Sequence, residues 1–309
     1  VSDHAAPDAE LARIIGKLGE LLGSPNGTPV ALTGGITNRN YRLNMGGVDY
    51  VLRVSGKDTG VLGIDRAAEV AATRAANMAG IAPPIAAFLP EEGCIVTRFV
   101  EGRPVTADEL RDPYTLAQVA TSIRMVHQGP RFTTAFSAHA IVRDYDRQTR
   151  ERGGAVPAEY GEALAIADRI AAVLTGPEHA PVPCHNDLLT ANFIDDGSRV
   201  RIVDWEYAGM GDRYFDLGNL SVNNGFDEAD DERLLAAYFG TPCTPERFAA
   251  LRLMRVMSDF REAMWGTIQA VVSDLDFDYS AYAATHFERL LAAASGPRFE
   301  EWLSHGQAP

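Results

Sequence analysis

Asp187, Asn192 and Asp204 have the types and spacing needed for phosphoryl chemistry. The first two lie in His185-Asn186-Asp187-Leu188-Leu189-Thr190-Ala191-Asn192, the third in Ile202-Val203-Asp204-Trp205-Glu206. An aspartate can orient and deprotonate an attacking hydroxyl, while an asparagine shortly after it and an aspartate on the next strand can hold magnesium ions on a nucleotide's phosphates. Apolar residues flank the run on both sides (Val182-Pro183-Cys184 and Phe193-Ile194), so these polar side chains fall in a loop that should be buried. There they need substrate, metal or backbone as partners. His185 reads as a hydrogen-bonding support of the loop rather than a catalyst. Asp216, at a helix start in Phe215-Asp216-Leu217-Gly218-Asn219, can cap that helix or brace the loop by accepting backbone N–H bonds, and bracing is the role expected.

A phosphate-binding half should precede this run. Thr33-Gly34-Gly35-Ile36-Thr37-Asn38-Arg39-Asn40 sits between two strand-like segments; its glycines allow close approach of backbone to phosphate, and Thr37, Asn38 and Asn40 add donors. A cation should follow on the next strand and pair with a helix carboxylate. The chain has only two lysines, Lys17 and Lys57, and neither falls within that strand. Arg53, in Tyr50-Val51-Leu52-Arg53-Val54, does, and Glu69 in the following helix is its expected partner.

The elements that must position these residues change character along the chain. A helix is expected over Leu11 to Leu22, strands over Val30–Thr33, Tyr41–Met45 and Asp49–Val54, and a helix over Asp65–Ala79 ended by Gly80. Two more strands, Ile85–Leu89 and Cys94–Phe99, complete a small antiparallel sheet with one helix against it. Beyond residue 101 the pattern is helical, at about 114–128, 158–174, 228–239, 245–271 and 279–294. The fold class is therefore α+β and bilobal, with residues 1–101 forming the nucleotide lobe and 102–309 the helical lobe that carries the catalytic loop, metal site and acceptor pocket.

Composition narrows the partners. A chain of 309 residues with 46% hydrophobic content can bury a sizeable core. Its formal net charge of −14 disfavours nucleic acid and suits a small cationic substrate. Cys94, Cys184 and Cys243 are few and widely spaced, as expected in a reducing compartment, and neither a membrane-spanning run nor a signal-peptide pattern is present, so a cytoplasmic location is expected. Helices near 114–128 and 279–294 have apolar faces that suit either core packing or a homodimer contact.

With these residues in view, the sequence resembles the choline/ethanolamine kinase family, within the wider group that includes aminoglycoside phosphotransferases. The similarity runs from about Leu32 to Leu290. It is carried by Gly34-Gly35-Ile36-Thr37-Asn38-Arg39-Asn40-Tyr41-Arg42, Cys184-His185-Asn186-Asp187, Asp204-Trp205-Glu206-Tyr207-Ala208, Trp265-Gly266-Thr267-Ile268-Gln269-Ala270, and Asp276-Phe277-Asp278-Tyr279 with Tyr282-Ala283. The resemblance implies a protein-kinase-like fold, ATP and Mg2+ as cosubstrate and cofactor, and phosphorylation of choline or ethanolamine. It implies adenine against a hinge that includes Phe99 and Val100, and an amine pocket drawn from Glu206, Asn219, Trp265, Phe277 and Tyr282. Aromatic faces suit a quaternary ammonium, which has no N–H to donate. Glu262 stands where many family members carry a second tryptophan, and Asn223 where they carry a pocket glutamate. A carboxylate moved to Glu262 would make the cage more ionic and favour a primary ammonium such as ethanolamine. Two other readings stay open: a kinase of another cationic alcohol, such as an aminoglycoside or thiamine, and a catalytically silent nucleotide-binding regulator.

Overall fold

The computed structural model describes residues 9–32, 38–56 and 59–306. Its first part is a five-stranded antiparallel sheet in the order β1-β2-β3-β5-β4, built from β1 (Val30–Leu32), β2 (Asn38–Met45), β3 (Val48–Ser55), β4 (Ile85–Leu89) and β5 (Cys94–Arg98). Strands β2 and β3 are joined at Gly46-Gly47, both with positive φ (58° and 81°). This is the backbone that a tight two-residue hairpin requires. Gly46 also packs so closely on helix α1 (Ala9–Leu22) that an added Cβ would lie 2.7 Å from the Leu22 carbonyl oxygen.

Amphipathic spacing brings Leu11, Ile14 and Leu18 of α1 onto Leu43, Met45, Leu52, Val54 and Val96 of the sheet, which together form a small core. Helix α2 (Arg66–Met78), capped by the Asp65 carboxylate, behaves differently: its Ala72 and Ala76 join the large core of the helical part. The helix that closes the sheet's own core is therefore α1. The alanine-rich periodicity of α2 correctly signals a helix, but its small side chains carry no information about which body they face.

The second part holds α3 (Pro113–His127), α4 (Ala138–Glu151), α5 (Tyr160–Val173), α6 (Arg213–Asn223), α7 (Glu228–Phe239), α8 (Pro245–Val272), α9 (Tyr279–Ser295) and α10 (Arg298–Gly306). Short strands β6 (Arg103–Pro104), β8 (Phe193–Asp195) and β9 (Val200–Ile202) form one small sheet, and β7 (Val182–Cys184) pairs with β10 (Gly209–Gly211). The loop after β7 carries the His185–Asn192 run. Helices α4 and α10 were not anticipated; α4 is rich in charged residues, and α10 is a short segment near the chain's end. The apolar faces of α3 and α9 lie in the core, through Leu116, Val119, Ile123 and Val126 and through Tyr279, Phe287 and Leu290. No helix among the described residues is long and apolar enough to cross a membrane.

Gly46→Ala would force a Cβ against the Leu22 carbonyl at a positive φ. We expect a loss of about 1–3 kcal/mol, read as a lowered midpoint in urea unfolding, whereas an exposed control such as Gly197→Ala in the β8–β9 turn would lack the packing component.

Candidate active site

The His185–Asn192 run is held from behind by one carboxylate. Asp216, on the first turn of α6 and 1% exposed, accepts hydrogen bonds from the backbone N–H of His185 (2.8 Å) and of Asn186 (2.6 Å), and also faces the His127 ring nitrogen Nε2 (2.9 Å). Asn219, one turn further along α6, accepts the backbone N–H of Leu188 through Oδ1 (2.6 Å) and donates from Nδ2 to Ser258 of α8 (3.0 Å). Asn186 sits in the left-handed region, with φ 67°, and donates to the Tyr207 carbonyl (3.0 Å). These bonds over-determine a conformation that a non-glycine residue adopts only at some cost.

His185 ties this loop to the strand that ends at Asp204. Its Nε2 bonds the Val203 carbonyl (2.9 Å), so that nitrogen carries the proton, and its Nδ1 accepts the Asp187 backbone N–H (3.2 Å). The ring is neutral, packs edge-on against Trp205, and burial pushes its pKa below the usual value. Asp204 also has a positive φ, at 66°. Asn192 donates from Nδ2 to the Asp187 carbonyl (2.9 Å), so its amide oxygen is the end that could serve as a ligand. Burial raises the pKa of Asp187 well above the ordinary aspartate range; Arg261 acts against this, while Glu262, Asp204 and Glu206 add to it.

Opposite the loop, Arg53 is ion-paired with both Glu69 of α2 and Asp204. Arg66, at the start of α2, was not anticipated. It bonds Glu69 (2.7 Å), Glu206 (3.1 Å) and the Asn38 amide oxygen (3.1 Å), and burial lowers its pKa. Asn38 donates to Glu206 in turn (2.9 Å). Burial is also the main reason that the pKa of Glu206 is raised. Its position directly after the helix cap makes Arg66 look like a solvated first-turn residue in the sequence. Only the three-dimensional convergence of Glu69, Glu206 and Asn38 reveals its place.

A cavity of about 90 Å3 joins these groups. Asn38, Asn40, Asp187, Asn192, Asp204, Glu206, Glu262, Trp265 and Tyr282 all line it, and Tyr207 and Arg261 complete the end beside α8 and α9. Gly266 makes that end possible: a Cβ there would meet the Tyr279 carbonyl and the Tyr282 ring at 3.0 Å, so α8 and α9 can approach and bring Trp265 edge-to-face with Tyr282. Phe277 meets Tyr282 edge-on with ring centroids 5.9 Å apart and is 41% exposed, at the rim. Asn219 is not brought into the cavity, because both ends of its amide are engaged behind the loop. Phe99 and Val100 follow β5; the Phe99 N–H bonds Asp49 O (3.0 Å) and its ring carries the Arg42 guanidinium. Thr37 and the preceding Thr33–Ile36 lie outside the described residues. A larger open groove of about 660 Å3, lined by α7, the start of α8 and α10, contains none of these groups.

The family model for the phosphotransferase enzyme family matches residues 28–254. A crystal structure of a choline/ethanolamine kinase family protein from Mesorhizobium loti is 31% identical, superposes with a TM-score of 0.83, and covers 96% of this chain and 99% of its own. The chain belongs to the choline/ethanolamine kinase family of phosphotransferases. Rattus norvegicus ethanolamine kinase 2 is 25% identical over 265 residues, covering 77% of this chain and 68% of the relative. Haemophilus influenzae protein LicA is 27% identical over 217 residues, 68% of this chain; the match spans 62% of LicA's length. A solved LicA in complex with AMP shares the fold at 20% identity and a TM-score of 0.72, with 94% of this chain and 98% of that one covered.

Asp216→Ala would strand buried donors that each cost on the order of 1–3 kcal/mol when unpaired, so we expect a clearly lowered Tm together with lost activity. His185 supplies a pH signature. Its folded pKa is depressed below the unfolded value of about 6.5, so its contribution to stability is intact above that value and lost as pH falls toward the folded pKa. Urea unfolding between about pH 7.5 and about pH 5.5 should show stability falling with acidification, and His185→Gln should flatten that slope.

Proposed function

We propose that this protein transfers the γ-phosphoryl group of ATP to the hydroxyl of a small amino alcohol of the choline and ethanolamine class. The observation that carries the reading is the convergence of Asp187, Asn192 and Asp204 with a cage of Trp265, Tyr282 and Tyr207 on one cavity. Asp187 accepts the hydroxyl proton as the acceptor oxygen bonds to the γ-phosphorus. The bond from that phosphorus to the bridging oxygen breaks, and ADP leaves. A carboxylate with its pKa raised by burial suits proton acceptance better than an exposed one.

The donor set fits magnesium. Asn192 and Asp204 line the same cavity and would offer hard oxygen ligands to a magnesium ion, with its remaining ligands coming from phosphate oxygens and water. A bound ion there supplies charge neutralisation for the transferring phosphates. Arg53 provides the phosphate-binding cation, and its pairing with Glu69 aims the guanidinium toward Asp204. The residues up to 101 supply this nucleotide side, with Asn38 and Asn40 at the phosphates and Phe99 and Val100 at the base. Those from 102 onward supply the catalytic loop and acceptor wall. A LicA of the same fold is solved in complex with AMP, which supports a nucleotide as cosubstrate.

Asp187→Asn keeps the shape of the loop but removes the proton acceptor. Coupled-enzyme assays of ADP release with choline and ethanolamine as acceptors should show kcat reduced by about 10²–10⁴-fold, with nucleotide binding retained. A variant that keeps near-normal turnover would overturn the assignment. Gly266→Ala should instead raise KM for the acceptor, because it pushes on Tyr282, while KM for ATP stays close to normal.

A further inference from the structure

Glu262 of α8 lines the cavity and is 4% exposed, but each of its oxygens already holds a donor. The Arg261 guanidinium engages Oε1, and the Tyr282 hydroxyl donates to Oε2 (2.7 Å). Arg261 in turn lies over the Tyr207 ring, 4.2 Å from its centroid. The Trp265 indole N–H donates to the Tyr207 hydroxyl (3.0 Å). The polar groups of Tyr282, Trp265 and Tyr207 are thus engaged by one another and by Glu262, and what these three residues add to the cavity is mainly ring carbon. Trp265 and Tyr282 meet at 69° with centroids 5.6 Å apart, a corner of two nearly perpendicular rings.

Choline and ethanolamine differ in what they ask of such a wall. A primary ammonium carries N–H donors that lose water on burial and must recover acceptors from the protein. A quaternary ammonium has no N–H to satisfy and binds against ring faces. We propose that the Arg261–Glu262 pair sets the acceptor preference: it holds Glu262 to Tyr282 as a positioning group, withdraws the carboxylate from the substrate, and so makes the pocket prefer a quaternary to a primary ammonium. This preference deepens the kinase reading of the site and rests on it. A lone carboxylate at position 262 would attract either cation and offer acceptors to the primary one. Paired with Arg261, its pull on the two cations is cancelled to a similar degree, and ring contact against hydrogen-bond demand decides between them.

A methylation series tests this: ethanolamine, its N-methyl and N,N-dimethyl forms, and choline. On the wild-type protein, kcat/KM for each is measured with Mg·ATP, and binding of each by calorimetry in the presence of a non-hydrolysable ATP analogue. We expect kcat/KM to rise along the series, choline exceeding ethanolamine by at least about tenfold, equivalent to about 1.4 kcal/mol. A wild-type preference for ethanolamine, or none, overturns the proposal while leaving the kinase reading intact, and needs no variant to fold. Arg261→Met frees the carboxylate for an ammonium N–H, so the choline preference should shrink by at least about fivefold, equivalent to about 1 kcal/mol. Arg261→Lys still pairs Glu262 and should keep a ratio near that of the wild type. Equal losses on choline and ethanolamine in Arg261→Met would overturn the role of the pair. Choline bound more tightly than ethanolamine, with neither phosphorylated, would uphold the pocket and overturn the kinase reading instead.

Discussion

Everything at the reaction centre hangs on the Asp216 carboxylate. A loop that presents Asp187 must turn sharply, and the turn needs Asn186 in a left-handed conformation and leaves consecutive backbone N–H groups pointing inward. In a buried place those donors require an acceptor that cannot drift. Asp216 supplies it from the start of α6, where the helix N-terminus favours negative charge, and His127 of α3 fixes Oδ2, the same oxygen that accepts the His185 N–H. Asn219 repeats the device one turn later, so that α6 carries a rack of acceptors matched to the rise of the loop.

Much of this was legible in the sequence, for identifiable reasons. Asp187, Asn192 and Asp204 stood out because polar residues amid apolar runs need partners, and Arg53 because the strand offers no lysine. Asp216 was legible as a brace because it opens a helix. Asn219 was read as a pocket residue from resemblance alone, and its amide instead serves the loop from behind. The difference is one of side-chain direction, which neither spacing nor periodicity encodes when an entire helix is buried. Arg66 and Arg261 escaped notice for a related reason: an arginine in a helix is ordinarily a solvated side chain, and only their burial marks them out.

The two ends of the cavity are governed by the same electrostatic problem and solve it with different geometry. Beside α2, Arg53 and Arg66 lie among Glu69, Asp204 and Glu206, a mixed cluster in which each carboxylate has a cation at hand. Beside α9, Arg261 and Glu262 are sequence neighbours whose side chains meet over Tyr207. Burial pulls against the charge of Arg261, yet Glu262, Tyr207 and Asp187 together raise its pKa well above normal, so the guanidinium stays charged. Both ends pair their charges before any substrate arrives, which keeps desolvation of isolated ions out of the resting state.

The attachment of α2 to the large helical core has a mechanical consequence. Glu69 and Arg66 belong to a helix whose apolar face is anchored on the same body as Glu206, whereas Arg53 and Asn38 belong to the sheet. Because α2 also packs on β4 of the sheet, it bridges the two bodies and belongs to neither alone. Any widening of the cleft would therefore load the Arg53–Asp204 pair and the bonds of Asn38 and Arg66 to Glu206 together. The two arginines would act as paired clasps across one joint.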